Sequence, residues 1–312
     1  MNKPKIVLMG AGSTQFSLIT IYDIVRRPNL HGSTLVLVDI DKEKLRLAGG
    51  LAKQLNEKFN ARLKIESTLD RKIALDGADF IISAVEVGRE KCWKLDCEIP
   101  LKYGIKQVVG ECGGPGGLFH ALRIIPIVLE ICRDAEDICP NALFINYTNP
   151  MTRVCRAISR YTKVKFVGLC YGIYFQLTAL SKFLGVKPQD LDAKAAGLNH
   201  FTWITDLRFK DGRDAYPVLR EKLSKTEDYF QPLCREMYFK FGLYPSPSDG
   251  HVAEFLSFGY DKMKPEERGY EGWIKPYYSH LQGLQEMATS IANGDLSPLR
   301  KLEQTWEAYK EG

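Results

Sequence analysis

The residues best suited to hold a reactive group lie near the start of the chain. Gly10-Ala11-Gly12-Ser13-Thr14-Gln15 separates the apolar run Lys5 to Met9 from a segment of helical periodicity, Phe16 to Arg26. Two glycines at such a junction allow a tight turn whose backbone N–H groups approach a pyrophosphate at a helix N-terminus. Gln15 stands where the usual fingerprint has its third glycine. Asp39 closes the next apolar run, Thr34 to Val38. A carboxylate there accepts hydrogen bonds from ribose hydroxyls and repels a 2′-phosphate, so the pattern predicts NAD rather than NADP. Gly10, Gly12, Ser13, Thr14 and Asp39 are the candidate cofactor contacts. Val87 and Gly88 join them because they follow the run Phe80 to Val85, at the sheet edge where ligands bind in open α/β folds. The chemistry these residues serve is hydride transfer. Plain turns beside a surface Asp are the alternative reading.

Positioning these turns requires a parallel sheet. Short apolar runs at Lys5–Met9, Thr34–Val38, Phe80–Val85, Leu143–Asn146 and Val164–Leu169 alternate with helix-compatible stretches. The alternation predicts an α/β fold with a Rossmann-like, doubly wound parallel sheet over residues 1–195. Residues 196–312 change character and predict a mixed α+β, mostly helical substrate domain. Between Glu86 and Gly117 a long segment reads as a functional loop, glycine-rich at its end.

With 312 residues, the chain suits two lobes. Its 45% hydrophobic and 26% charged content excludes disorder as the main state. The net charge of +5 is dispersed, so no nucleic-acid partner is expected. No uninterrupted apolar run approaches a membrane span, and Met-Asn-Lys-Pro-Lys does not begin a signal peptide, so a cytoplasmic location is expected. Eight cysteines lack zinc-type pair spacing and read as reduced thiols, most of them buried.

Further segments complete a pattern. They are Gly110-Glu111-Cys112-Gly113-Gly114-Pro115-Gly116-Gly117, Asn146-Tyr147-Thr148-Asn149-Pro150-Met151, Gly168-Leu169-Cys170-Tyr171-Gly172, Gly197-Leu198-Asn199-His200 and Ser248-Asp249-Gly250-His251-Val252-Ala253-Glu254-Phe255. With the nucleotide motif, their order and spacing over residues 1 to 260 resemble glycoside hydrolase family 4, the NAD-dependent exception among glycosidases.

The resemblance implies NAD⁺ and a divalent cation, typically Mn²⁺, acting on an O-glycoside. Hydride leaves C3 of the sugar, the C2 proton becomes acidic and is removed as the glycosidic oxygen departs, water adds, and the hydride returns. It implies Cys170 and His200 as metal ligands, a thiolate and an imidazole suited to that task. By residue type alone both read more readily as core side chains than as ligands. Asn149 and Asn199 are implied as contacts to sugar hydroxyls, with a helix cap and a buried amide as alternatives. Glu111 is implied to face substrate or metal, against a solvated loop carboxylate. Asp249 is the candidate base at C2, with Tyr244 and His251 as rivals and a turn-forming Asp as the alternative.

Tyr171 occupies a position where family members carry His, Asp or Asn. A phenol, with a reference pKa of about 10, is a weaker general acid. The implied substrate is an α-glycoside or uronide, and a homo-oligomer, dimer or tetramer, is expected. Family chains continue past the point matching Gly312, so the resemblance implies a second domain incomplete relative to the family. Two other functions compete: a lactate/malate-type 2-hydroxy-acid dehydrogenase, and a catalytically inactive NAD-binding relative.

Overall fold

The computed structural model describes residues 3–226, 230–301 and 303, apart from the side chains of residues 14 and 15. Its first elements are β1 (Lys5–Met9), α1 (Thr14–Arg26), β2 (Thr34–Val38), α2 (Lys42–Lys58), β3 (Lys64–Thr68), α3 (Arg71–Leu75) and β4 (Phe80–Ser83). Then come α4 (Arg89–Lys102), α5 (Gly114–Ile138), β5 (Leu143–Asn146), α6 (Met151–Tyr161), β6 (Lys165–Gly168) and α7 (Gly172–Leu184). The remainder holds β7 (Leu191–Leu198), β8 (Phe201–Phe209), α8 (Tyr216–Lys225), α9 (Pro232–Phe241), β9 (Tyr244–Ser246), α10 (Asp249–Ala253), α11 (Gly259–Lys262) and α12 (Lys275–Ala292).

Contacts group the chain into two units of three segments each. Unit one is Met1–Cys92, Phe119–Leu169 and Lys275–Arg300; unit two is Trp93–Leu118, Cys170–Ile274 and Lys301–Gly312. This differs from a single division after residue 195. The cause is visible in α12, which buries Leu281, Ala288 and Ile291 and packs on α1 and α2 of unit one. A terminal helix over 302–312 falls, apart from Glu303, outside the described residues.

Unit one is a six-stranded sheet in the order β3-β2-β1-β4-β5-β6, with every neighbouring pair parallel. This is the doubly wound order, with its switch between β1 and β4. Both faces are covered, and buried Val7, Val36, Ile81 and Phe144 pack with Ile124, Val128, Ile131 and Cys132 of α5. That packing explains how α5, a helix long and apolar enough to cross a membrane by length and composition, serves instead as the covering helix of the sheet. β3 was not legible in the sequence: its Lys-Ile-Glu-Ser-Thr has no apolar run, because an edge strand is only partly covered.

Unit two has a three-stranded antiparallel sheet, β7-β8-β9, and helices sharing one core that includes Ile204, Leu207, Leu219, Leu223, Leu233, Met237, Tyr238 and Tyr244. The expected long loop from Glu86 to Gly117 is largely helical. α4 takes residues 89 to 102, and α5 begins at Gly114 rather than Leu118. Pro100 within α4 and the glycines within the first turn of α5 masked both helices.

Candidate functional site

Unit one builds a turn that closes only around glycine. Gly10 and Ala11 both donate their N–H to Val38 O at 2.9 Å, pinning the turn to the end of β2. Gly10 has φ +80°, and a Cβ there would lie 2.6 Å from Ala84 O at the end of β4. Gly12 donates its N–H to Asp39 Oδ2 at 2.7 Å, and a Cβ on Gly12 would meet that same oxygen at 2.8 Å. Asp41 N–H donates to Asp39 Oδ1 at 2.9 Å, so both carboxylate oxygens are oriented while retaining lone pairs. Ser13 caps α1 by accepting from Phe16 N–H. This close backbone approach, with an oriented acid beside it, fits a dinucleotide. The Thr14 side chain lies outside the described residues.

Gly88 has φ +67°, and a Cβ there would lie 2.1 Å from Cys92 Sγ, so the bend after β4 also needs glycine. Val87 packs against the sheet core, and its N–H donates to Glu86 Oε1 at 3.1 Å. Arg89, which sequence reasoning gave no binding role, donates from Nη2 to Gly12 O at 3.2 Å and ties this bend to the glycine turn. Asn149 Oδ1 accepts from Met151 N–H at 3.3 Å, an Asx turn ahead of α6, whose cap residue is Pro150 and not Asn149. α6 starts at Met151, one residue after Pro150.

Unit two collects the thiols, imidazoles and carboxylates. Cys170 sits just before α7 and accepts from Gly172 N–H at 3.4 Å. His200 closes the two-residue turn between β7 and β8 with φ +68°, a left-handed conformation uncommon for a non-glycine residue. The thiol and the imidazole interact, each shifting the other's proton affinity. Burial pushes the Cys170 thiol up, but the hydrogen bond and charge of His200, with Gly172 N–H and the Asn199 side chain, outweigh it and hold the thiol below its ordinary pKa. Burial likewise pushes His200 down, and Cys170, Glu111 and Glu254 reverse it, raising the imidazole to about 9. The two shifts run toward negative charge on the thiol and positive charge on the imidazole.

Around His200 stand more donors. Cys112 Sγ is 3.3 Å and Glu111 Oε2 3.6 Å from Nδ1. The His251 ring packs edge-on against it, centroids 4.5 Å apart, and against Trp273 at 5.2 Å. Burial and the His200 charge drive His251 down to about 3, so it is a neutral imidazole. Glu254 Oε1 accepts from the N–H groups of Cys112 and Gly113, anchoring the glycine-rich loop. Burial, opposed by those two amides, lifts Glu254 to about 7. A Cβ on Gly113 would lie 2.4 Å from Glu254 O, which explains that glycine. A thiol, an imidazole and carboxylates converging in this way fit a divalent transition cation.

The structure thus brings Cys170, His200, Glu111 and Asn199 together. Asp249 is turned to another task. Only 8% exposed, it accepts from Leu233 N–H (3.1 Å) and Cys234 N–H (2.8 Å) at the start of α9. Burial raises its pKa, and the α9 amides oppose that rise. Tyr244 is fully buried with its hydroxyl donating to Gln231 Oε1. Tyr171 is half exposed, its ring 6.0 Å from that of Tyr174. Cys112 and Glu254 were missed as participants. The signal was available, since both stand inside the quoted segments, but Cys112 read as a small core residue and Glu254 carried no spacing rule.

Fold and donor set define an NAD- and metal-binding α/β enzyme. The chain matches the model of the family 4 glycosyl hydrolases over residues 5–186 and that of the family's C-terminal domain over residues 195–304. It belongs to family 4 of the glycosyl hydrolases. It is 46% identical to an alpha-glucosidase of Erwinia rhapontici across 94% of this chain and 75% of the relative. It is 36% identical to an alpha-galactosidase of Bacillus subtilis strain 168, across 84% of this chain and 61% of that one. It superposes with a TM-score of 0.72 and 25% identity on the 6-phospho-beta-glucosidase of Thermotoga maritima, solved with manganese, NAD⁺ and glucose-6-phosphate. That match covers 91% of this chain and 67% of the other. The chain therefore spans three quarters of the first relative and less than two thirds of the second.

Proposed function

We propose that the chain cleaves an unphosphorylated α-glycoside, an α-glucoside first among them, using bound NAD and a divalent cation. The observation that carries this reading is the gathering of Cys170, Glu111 and Cys112 about His200, with Cys112 Sγ 3.3 Å and Glu111 Oε2 3.6 Å from its Nδ1. The 46% identity to an alpha-glucosidase supports the choice of sugar. When bound, NAD supplies the hydride acceptor for C3, and the cation supplies the Lewis acid that stabilises charge on the oxidised sugar oxygen.

The chain's own residues do the rest. The turn at Gly10 and Gly12 cradles the pyrophosphate, and Asp39 orients the ribose. Cys170 and His200 hold the cation, Asn199 steadies the thiolate by its hydrogen bond, and Asn149 meets a sugar hydroxyl. Glu111, its side chain 14% exposed and 3.6 Å from His200, takes the C2 proton. Asp249 is less suited, because both its oxygens cap α9. Tyr171, half exposed beside Cys170 in the sequence, faces the leaving group as donor. The dehydrogenase reading wants a His oriented by Asp; His200 has thiols and Glu111 about it instead. The eight free cysteines suit a reducing cytoplasm. Exposed Tyr174 and Phe175 on α7 are consistent with a homo-oligomer, which light scattering would read.

The test is release of nitrophenol from nitrophenyl α-glucoside with NAD⁺, Mn²⁺ and a thiol reductant. Turnover should require both cofactors and vanish in Cys170→Ser. A rate unchanged on omitting both sinks the reading, and retained NAD binding without turnover on a glycoside panel would indicate the inactive relative.

A further inference from the structure

We propose a second cation site, formed by Cys112, His200 and Glu254 and suited to Zn²⁺ rather than Mn²⁺. One ligand atom from each residue lies within 4.8 Å of the others. Cys112 Sγ is 3.3 Å from His200 Nδ1. Tetrahedral Zn²⁺, with Zn–S of about 2.3 Å and Zn–N of about 2.0 Å, sets those two ligands about 3.5 Å apart. Cys112 and His200 are each only 6% exposed. Glu254 supplies an independent observation. Its Oε1 is engaged by two loop amides, but Oε2 is shut off from solvent and has no hydrogen-bond partner. A buried carboxylate oxygen without a donor is costly, and a cation would satisfy it.

The donor set decides the metal. Thiolate, imidazole and one carboxylate oxygen suit Zn²⁺; at Cys170 and His200 the sugar's own oxygens would complete a shell that Mn²⁺ accepts, which the buried Cys112 and the enclosed Oε2 of Glu254 do not offer. Binding releases two protons: the Zn–S bond forms as the Cys112 S–H bond breaks, the Zn–N bond forms as His200 gives up its Nδ1 proton, and both protons pass to solvent. The inference rests on the reading of Cys170 and His200 as ligands of the catalytic cation, because the two sites share the imidazole. Zn²⁺ in the second site would withdraw His200 from the first and so inhibit, leaving NAD in place.

The experiment titrates Zn²⁺ against a chromophoric chelator on the NAD-loaded full chain, with Mn²⁺ binding and turnover followed in parallel. One Zn²⁺ should bind, about tenfold or more weaker in Cys112→Ser and within about threefold of wild type in Cys170→Ser. Cys112→Ser should need at least about tenfold more Zn²⁺ to displace bound Mn²⁺. Glu254→Gln, which preserves shape, should weaken Zn²⁺ in the same way and decides the matter if Cys112→Ser does not fold. No Zn²⁺ binding, or loss in Cys170→Ser with or without loss in Cys112→Ser, overturns the second site. Mn²⁺ binding and turnover that survive Cys170→Ser would instead overturn the catalytic reading, while Cys112-dependent Zn²⁺ binding stood.

Discussion

Cys170 and His200 move each other's proton affinity against the direction burial imposes. Burial alone raises a thiol and lowers an imidazole, yet the thiol is held down and the imidazole is lifted to about 9. Two backbone features bring them together. The thiol stands at the N-terminus of α7, where the helix dipole and Gly172 N–H favour negative charge. The imidazole is aimed by a left-handed residue in a two-residue turn.

Site-resolved alkylation of the metal-free protein reads this pair. Thiolate is the reactive form, so the Cys170 rate should climb with pH through a midpoint below 9.0, the ordinary thiol value. Cys234, wholly buried beside Asp249, should not react. His200→Asn should move the Cys170 midpoint up, since burial then acts without its counterweight. A wild-type midpoint at or above 9.0 would contradict the pairing.

Linkage gives a stability signature for the same pair. His200, raised from 6.5 to about 9, contributes stability that is full below pH 6.5 and lost as pH climbs to about 9. Cys170, lowered from 9.0, contributes stability that is full above pH 9.0 and lost as pH falls through its folded value. The His200 shift is the larger, so metal-free stability should fall on balance as pH climbs from 6.5 to about 9, with Cys170 opposing part of that fall. Stability that does not fall across that window would show an unpaired His200.

Much of this was legible because it depends on local chemistry. Apolar runs marked β1, β2 and β4, the first two closing at Gly10 and Asp39, and the chain turns tightly at Gly10 and Gly12 as their spacing predicts. What was hidden depends on distant partners. No local rule shows that Asp249 caps α9, sixteen residues back at Leu233, or that Glu254 holds a loop near Cys112. Likewise α12 follows the substrate half in sequence but buries its apolar stripe on α1 and α2.

Asp249→Asn separates a cap from a base. The α9 amides would lose a charged acceptor, costing about 1–2 kcal/mol in denaturant unfolding. Turnover and Mn²⁺ affinity should stay within about threefold, whereas Glu111→Gln should lower kcat by about 100-fold or more with little loss of stability. The opposite assignment of effects would restore Asp249 as the base.

Gly113→Ala tests the loop anchor. Its Cβ would meet Glu254 O at 2.4 Å, so the loop must shift, at a cost of about 1–3 kcal/mol. Gly77→Ala, at φ +66° with nothing within 4 Å, should cost about 1 kcal/mol from backbone strain alone. Only Gly113→Ala should also reduce turnover. Equal effects on both properties would deny the anchor a role.

Asp39→Ala should weaken NAD about 10- to 100-fold in a fluorescence titration, through lost charge-assisted hydrogen bonds. Unchanged affinity in a folded variant would place the ribose elsewhere.

The most direct test of the account is hydrolysis of an α-glucoside in D₂O, with the released sugar analysed at C2. Removal of the C2 proton before water adds predicts deuterium at C2 in the product, dependent on NAD⁺, the cation and Cys170. Product released at full rate with hydrogen retained at C2 would contradict it.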